Sequence, residues 1–263
     1  MNVRRIIALM QRHYYLYRSS WTRIVELMYW PIMELLLWGF LTVYLRRLGP
    51  DLPDFLVLFL GALILWDVLF RAQIGVSLAY LEEVWSRNLA NLFVSPLTPL
   101  EFMAGQLIVG VVRTSVSVGV MVVLAKISFH FNLFDMGFAL VGFFTNLLIM
   151  GWSIGFVVSA LILRFGQGAE SLAWAVIFLF QPVAAVFYPV SVLPSWLQPF
   201  AWATPAAHVF EGMRAVLLEH RFDGILFWNA VGLNVLYFAV GVAFFLWVFR
   251  VARRRGLLLQ VGE

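Results

Sequence analysis

The chain has no cysteine and a single lysine, Lys126. Without cysteine there is no disulfide framework, no thiolate metal site and no cysteine nucleophile. Without a Gly-x-x-x-x-Gly-Lys-Ser/Thr loop the chain cannot bind ATP in the P-loop manner. A His-Glu-x-x-His run is absent too, which removes the usual zinc-protease signature. Charge is scarce: Asp, Glu, Lys and Arg make up 12% of the residues, where soluble domains carry about 25%. Hydrophobic residues make up 63% and the mean hydropathy is +0.91. So little charge cannot coat a water-soluble domain of this size.

The apolar residues come in long blocks. A helix rises ~1.5 Å per residue, so ~20 residues cross a ~30 Å hydrocarbon core. Six such spans are read at about 24–45, 55–77, 102–124, 138–163, 172–189 and 228–249. The expected fold is an all-α polytopic membrane protein with six transmembrane helices. It forms a single transmembrane domain over residues 1–263, without a large soluble part.

Arginine placement sets the expected orientation. Arg4, Arg5, Arg12, Arg18, Arg23, Arg87, Arg164, Arg250, Arg253, Arg254 and Arg255 fall in the segments on one side. Arg46, Arg47, Lys126, Arg214 and Arg221 fall on the other. The richer side is the cytoplasmic one, so both termini are expected in the cytoplasm of a cell whose inner membrane holds the chain. This placement also accounts for the basic balance (net charge +4), so no nucleic-acid partner is expected; anionic lipid is. Residues 1–23 carry five arginines with no uninterrupted apolar run between them, unlike a cleavable signal. Instead, residues 3–20 read as an amphipathic interfacial helix, with Ile6, Ile7, Leu9, Met10, Tyr14 and Tyr17 on one face.

Ionisable residues within spans mark partners or cavities. Glu34 and Arg113 lie about 15 Å and 16 Å from the cytoplasmic ends of spans one and three, counted along the helix. Equal depth and opposite charge predict a buried pair. Asp67 and Arg71 sit four apart on span two, the same-face spacing. These charges serve either packing or an ion relay. A relay would make the chain an ion- or proton-coupled carrier or channel. A membrane enzyme acting on lipids would need convergent His, Asp or Glu at one interface, and no such cluster is evident.

Two segments between spans carry most information. Segment 78–101 contains Glu82, Glu83, Ser86, Arg87, Asn88 and Asn91, with Trp85, Leu89, Leu92 and Phe93 at helical spacing. One short amphipathic helix is predicted, ended by Ser95-Pro96 and Thr98-Pro99, since proline lacks the N–H and disfavours helix in the residue before it. Segment 190–227 follows Pro182 and Pro189 and is itself broken by Pro194, Pro199 and Pro205. Short helices are predicted near 195–201 and from 205 to about 219, the second capped by Thr204 with Pro205 at its first position. The stretch is too apolar for a solvated loop, so a re-entrant helical hairpin at the outer face is expected. His208 within it has no second ligand nearby in sequence and reads as a packed residue.

The run Val94-Ser95-Pro96-Leu97-Thr98-Pro99-Leu100-Glu101, preceded by Glu82-Glu83, resembles the cytoplasmic coupling segment of type-2 ABC exporter permeases. The stretch Pro189-Val-Ser-Val-Leu-Pro-Ser-Trp-Leu-Gln-Pro, with Thr204-Pro205 and Glu211-Gly-Met-Arg214, resembles that family's signature region. One departure is Arg87-Asn88-Leu89-Ala90, where many drug-type members carry Gly-Thr-Leu-Glu. The resemblance implies a permease subunit without its own ATP site or cofactor. ATP and Mg would be used by a separate ATP-binding subunit, and a second permease copy would complete the path. Glu82, Glu83, Trp85, Arg87, Leu89 and Phe93 would couple to the ATPase. Substrates would be amphipathic, lipid-linked or drug-like. Read from the residues themselves, Tyr188, Trp196, Phe200 and Trp202 either form an aromatic collar near the outer mouth or mark an ordinary membrane interface.

Overall fold

The computed structural model describes residues 1–48, 53–86 and 88–255, except for the side chains of residues 48, 53–56, 89, 90, 93 and 167. Ten α-helices follow one another among the described residues. They are α1 (Val3–Arg18), α2 (Trp21–Leu48), α3 (Pro53–Trp85), α4 (Leu89–Val94) and α5 (Pro99–Phe129), then α6 (Phe138–Phe165), α7 (Glu170–Val183), α8 (Gln198–Trp202), α9 (Pro205–Glu219) and α10 (Gly224–Arg254). Five of them, α2, α3, α5, α6 and α10, are long and apolar enough to cross a membrane. The chain is an integral membrane protein.

Burial sorts these five. In the apolar windows of α3 and α6, 72% and 78% of the residues are buried, against 17%, 33% and 28% for α2, α5 and α10. The pair α3–α6 is therefore the core, and the other three lie around it. Small residues allow this close approach. A Cβ on Gly151 would sit 2.7 Å from the Leu69 carbonyl oxygen, and one on Gly155 2.9 Å from that of Gln73. A Cβ on Gly241 of α10 would meet the Ser153 carbonyl oxygen of α6 at 2.7 Å. Buried amides add direction: Asn234 Nδ2 donates to Asn146 Oδ1 (2.8 Å), and Gln73 Nε2 donates to the Ala173 carbonyl of α7 (3.2 Å).

Several boundaries differ from expectation. Segment 78–101 does not form one amphipathic helix. Instead α3 runs on to Trp85 and α4 begins at Leu89. Its stop is as predicted: Thr98 caps α5 in a reciprocal capping box with Glu101, with Pro99 in the first turn. The helix expected over 172–189 ends at Val183 and is 14 residues long, about 21 Å. Beyond it, Ala185 adopts φ 51°, a left-handed backbone that turns the chain. The helix expected near 195–201 lies at Gln198–Trp202. Helix α9 is capped by the Thr204 hydroxyl, which accepts from Ala207 N.

Candidate functional site

Helix α1 is held against α5 rung by rung. Asn2 N donates to Glu101 Oε1 (2.6 Å), and Arg5 Nη1 lies 3.4 Å from Glu101 Oε2. Leu9 fills the space above Gly105, where a Cβ would meet Leu9 Cδ2 at 2.4 Å. His13 Nε2 and Gln106 Nε2 are 3.2 Å apart. Tyr17 lies under the Arg113 guanidinium, 5.5 Å from ring centroid to Cζ. Residues 2 to 17 of α1 thus follow residues 101 to 113 of α5. The buried face is Ile6, Leu9 and His13, while Ile7 and Tyr14 are exposed. The face packed on α5 is thus narrower than the expected apolar face, and Arg5 and Arg12 reach Glu101 and Glu83. The inward carboxylates of α3 and α5 draw those two guanidinium groups across.

The same end carries the segment expected to couple. Glu83 is buried, taking Arg12 Nη1 on Oε1 and Asn88 Nδ2 on Oε2 (2.7 Å). It closes the tip of α3 and anchors α1. Glu82 is half-exposed beside Arg23 Nη1 at 3.5 Å, and Trp85 is exposed. Arg87 lies outside the described residues, and so do the side chains of Leu89 and Phe93. The sequence reading missed Arg12, Arg5, Asn2 and Asn88 as partners. Only the Thr-x-x-Glu run at Thr98–Glu101 was a readable signal there.

Burial lowers the His13 imidazole to about pH 4, and Arg12, Arg113 and Arg23 push the same way against Glu83. A neutral imidazole among three guanidinium groups is the consistent state.

Of the intramembrane charges, Asp67 and Arg71 pair as expected, with Arg71 Nε 2.6 Å from Asp67 Oδ2. Glu34 and Arg113 do not pair within the chain. Arg113 stands over Tyr17, and the charges that act on Glu34 are Asp67 and Arg71. The rotation of the two helices was not readable: Gln106 and Arg113, seven apart on α5, both face α1.

At the opposite end, Glu211 and Arg214 fasten the turn after α7 onto α9. Glu211 Oε1 accepts from Val190 N (2.6 Å) and Oε2 lies 3.2 Å from Arg214 Nε. Arg214 Nη2 donates to the Ala185 carbonyl (2.8 Å) and Nη1 to that of Val186 (3.3 Å). Two carbonyls and one N–H of this turn are thereby matched, as irregular backbone in an apolar setting requires. The four candidate collar residues share this end but point differently. Tyr188 turns back to donate to the Pro182 carbonyl (2.8 Å), and Trp202 packs on His208 at 5.0 Å between ring centroids. His208 Nε2 donates to the Trp202 carbonyl (2.9 Å), while Trp196 and Phe200 are exposed.

Comparison with known families matches residues 4–218 to the family described as ABC-2 type transporter. No curated protein matches the chain.

Proposed function

This chain belongs to the ABC-2 type transporter family, and we propose that it is the permease of an ATP-driven exporter whose ATPase docks at the α3–α4 tip. The family makes it the membrane part of an ABC transporter, and ATP hydrolysis then falls to a partner subunit with its own ATP and Mg. One observation carries the docking site: at the junction of α3 and α4, Glu83 is locked inward while Trp85 and Glu82 remain presented. A push there would reach α5 through Glu83, Arg12 and the α1 rungs rather than dissipate in a loose loop.

The topology that fits has six crossings, with α7 as the short one and α8–α9 as a re-entrant hairpin. Its polar turn is sealed by Glu211 and Arg214. The arginine distribution supports an α1 end that faces the cytoplasm, in the inner membrane. The thinly covered helices α2, α5 and α10 leave apolar faces for lipid and for a second permease copy. The exported substrate is amphipathic, lipid-linked or drug-like, passing out of the cytoplasm or inner leaflet, with Tyr188, Trp196, Phe200 and Trp202 near the outer mouth. The second reading, an ion- or proton-coupled carrier using Glu34, Asp67, Arg71 and Arg113, is weakened because Arg113 stands apart from the other three.

The test is capture of an ATP-binding ABC subunit by the tagged permease. Trp85→Ala and Glu82→Ala should each cut the captured fraction severalfold while the permease still inserts. Full capture by the double variant would remove the α3–α4 tip as the docking site.

A further inference from the structure

A cavity of about 440 Å³ opens at the end of the molecule opposite α1. That volume falls within the range of small-ligand sites, about 300–1,000 Å³. Its walls come from the start of α6, the end of α9 and the start of α10. They include Phe138, Gly142, Phe222 and Phe227, with Asp135 and His220 as the groups of opposite character. The site is separate from the α3–α4 tip and from the turn held by Glu211 and Arg214.

The lining is chemically specific. Phe222 and Phe227 meet with ring centroids 5.6 Å apart. Gly142 makes room for that arrangement, since a Cβ there would lie 2.6 Å from Phe227 Cε2. Asp135 supplies a carboxylate, held on one oxygen by Asn132 Nδ2. His220 supplies an imidazole whose backbone caps α9 in the left-handed conformation, turning the chain back toward α10. A carboxylate beside aromatic faces attracts an ammonium group. An imidazole N–H in the same cavity is a donor for a phosphate oxygen. The two together complement a zwitterion.

The rim says from which phase that zwitterion comes. Phe138 is 97% exposed, and Ile225, Trp228 and Phe134 are also strongly exposed. Such a belt of aromatic and apolar side chains belongs at the membrane–water boundary, where lipid reaches it first. An anionic headgroup would bring a second negative charge to Asp135, and a water-soluble amine would leave the apolar rim without cover. We propose that this cavity seats the headgroup of a zwitterionic, amine-bearing phospholipid from the adjoining leaflet, with the ammonium at Asp135 and the aromatic rings and the phosphate at His220.

The test uses the purified full-length protein in detergent, titrated with dihexanoyl phosphatidylethanolamine, dihexanoyl phosphatidylglycerol or glycerophosphoethanolamine, with thermal unfolding as the readout. Phosphatidylethanolamine should protect at about tenfold lower concentration than phosphatidylglycerol, the difference one good polar contact makes. Asp135→Asn, a change at an exposed side chain, should abolish that preference without lowering the lipid-free melting point. Phe222→Ala should weaken phosphatidylethanolamine protection and leave that by phosphatidylglycerol unchanged. Equal protection of the wild type by the two lipids overturns the proposal without reference to any variant. So does a preference that survives in Asp135→Asn. Protection by glycerophosphoethanolamine equal to that by the lipid would overturn the assignment to the membrane.

Discussion

Glu83 and Glu101 are acidic residues at the ends of two apolar helices, and each is buried against α1 rather than turned to water. A buried carboxylate is stable only when paired and hydrogen-bonded. Here Arg12, Asn88, Arg5, Asn2 N and Thr98 N supply the partners. His13 lies among the same groups and has an acid limit. Its ordinary value of 6.5 falls to about 4 in place, so detached α1 binds a proton more readily than docked α1. Docking is unaffected above pH 6.5, weakens as pH falls, and reaches its full loss near pH 4. Melting temperature should therefore fall between pH 7.5 and pH 5 by more in the wild type than in His13→Gln, whose side chain takes no proton. Parallel pH profiles for the two proteins would exclude His13 as the cause.

Helix α6 shows how small residues decide a packing arrangement. Gly151 and Gly155 face α3 through backbone atoms that cannot rotate away, whereas a Cβ on Gly119 of α5 would meet nothing within 4 Å. Gly151→Ala should destabilise the protein by about 1–3 kcal/mol, as overpacking does. Gly119→Ala should be neutral or stabilising by up to about 1 kcal/mol, since alanine is the better helix former. Unfolding in a denaturing detergent series compares them directly; equal effects would mean that the α3–α6 contact does not limit stability. Helix α1 gives the complementary case. Its hydrophobic pattern was compatible with lying on lipid, yet Gly105 opened a groove for Leu9, and α5 became its support.

For the whole molecule, the thinly covered helices α2, α5 and α10 surround a core of α3 and α6. The proposed orientation places Ser86 in the cytoplasm and Gln198 outside. The chain has no cysteine, so a single cysteine at either position reports sidedness without background. An impermeant thiol reagent applied to intact cells should label Gln198→Cys and spare Ser86→Cys. The reverse pattern would invert the orientation and move the docking site to the wrong side for ATP.

Hydropathy and proline placement were enough to read the all-helical membrane class, five of the long helices, the proline stop after Val94 and the Thr204–Pro205 start of α9. These are local properties: each depends on residues within one or two turns of one another. The pairing of Asp67 with Arg71 was readable for the same reason, four residues on one helix. What the tertiary structure decided was which face of each helix turns inward. A span that is apolar all round carries little rotational signal, so Glu34 and Arg113, expected as a pair, face different neighbours. Arg12 and Glu83, 71 residues apart, meet because α1 docks on α5 beside the tip of α3, a contact that no local pattern encodes.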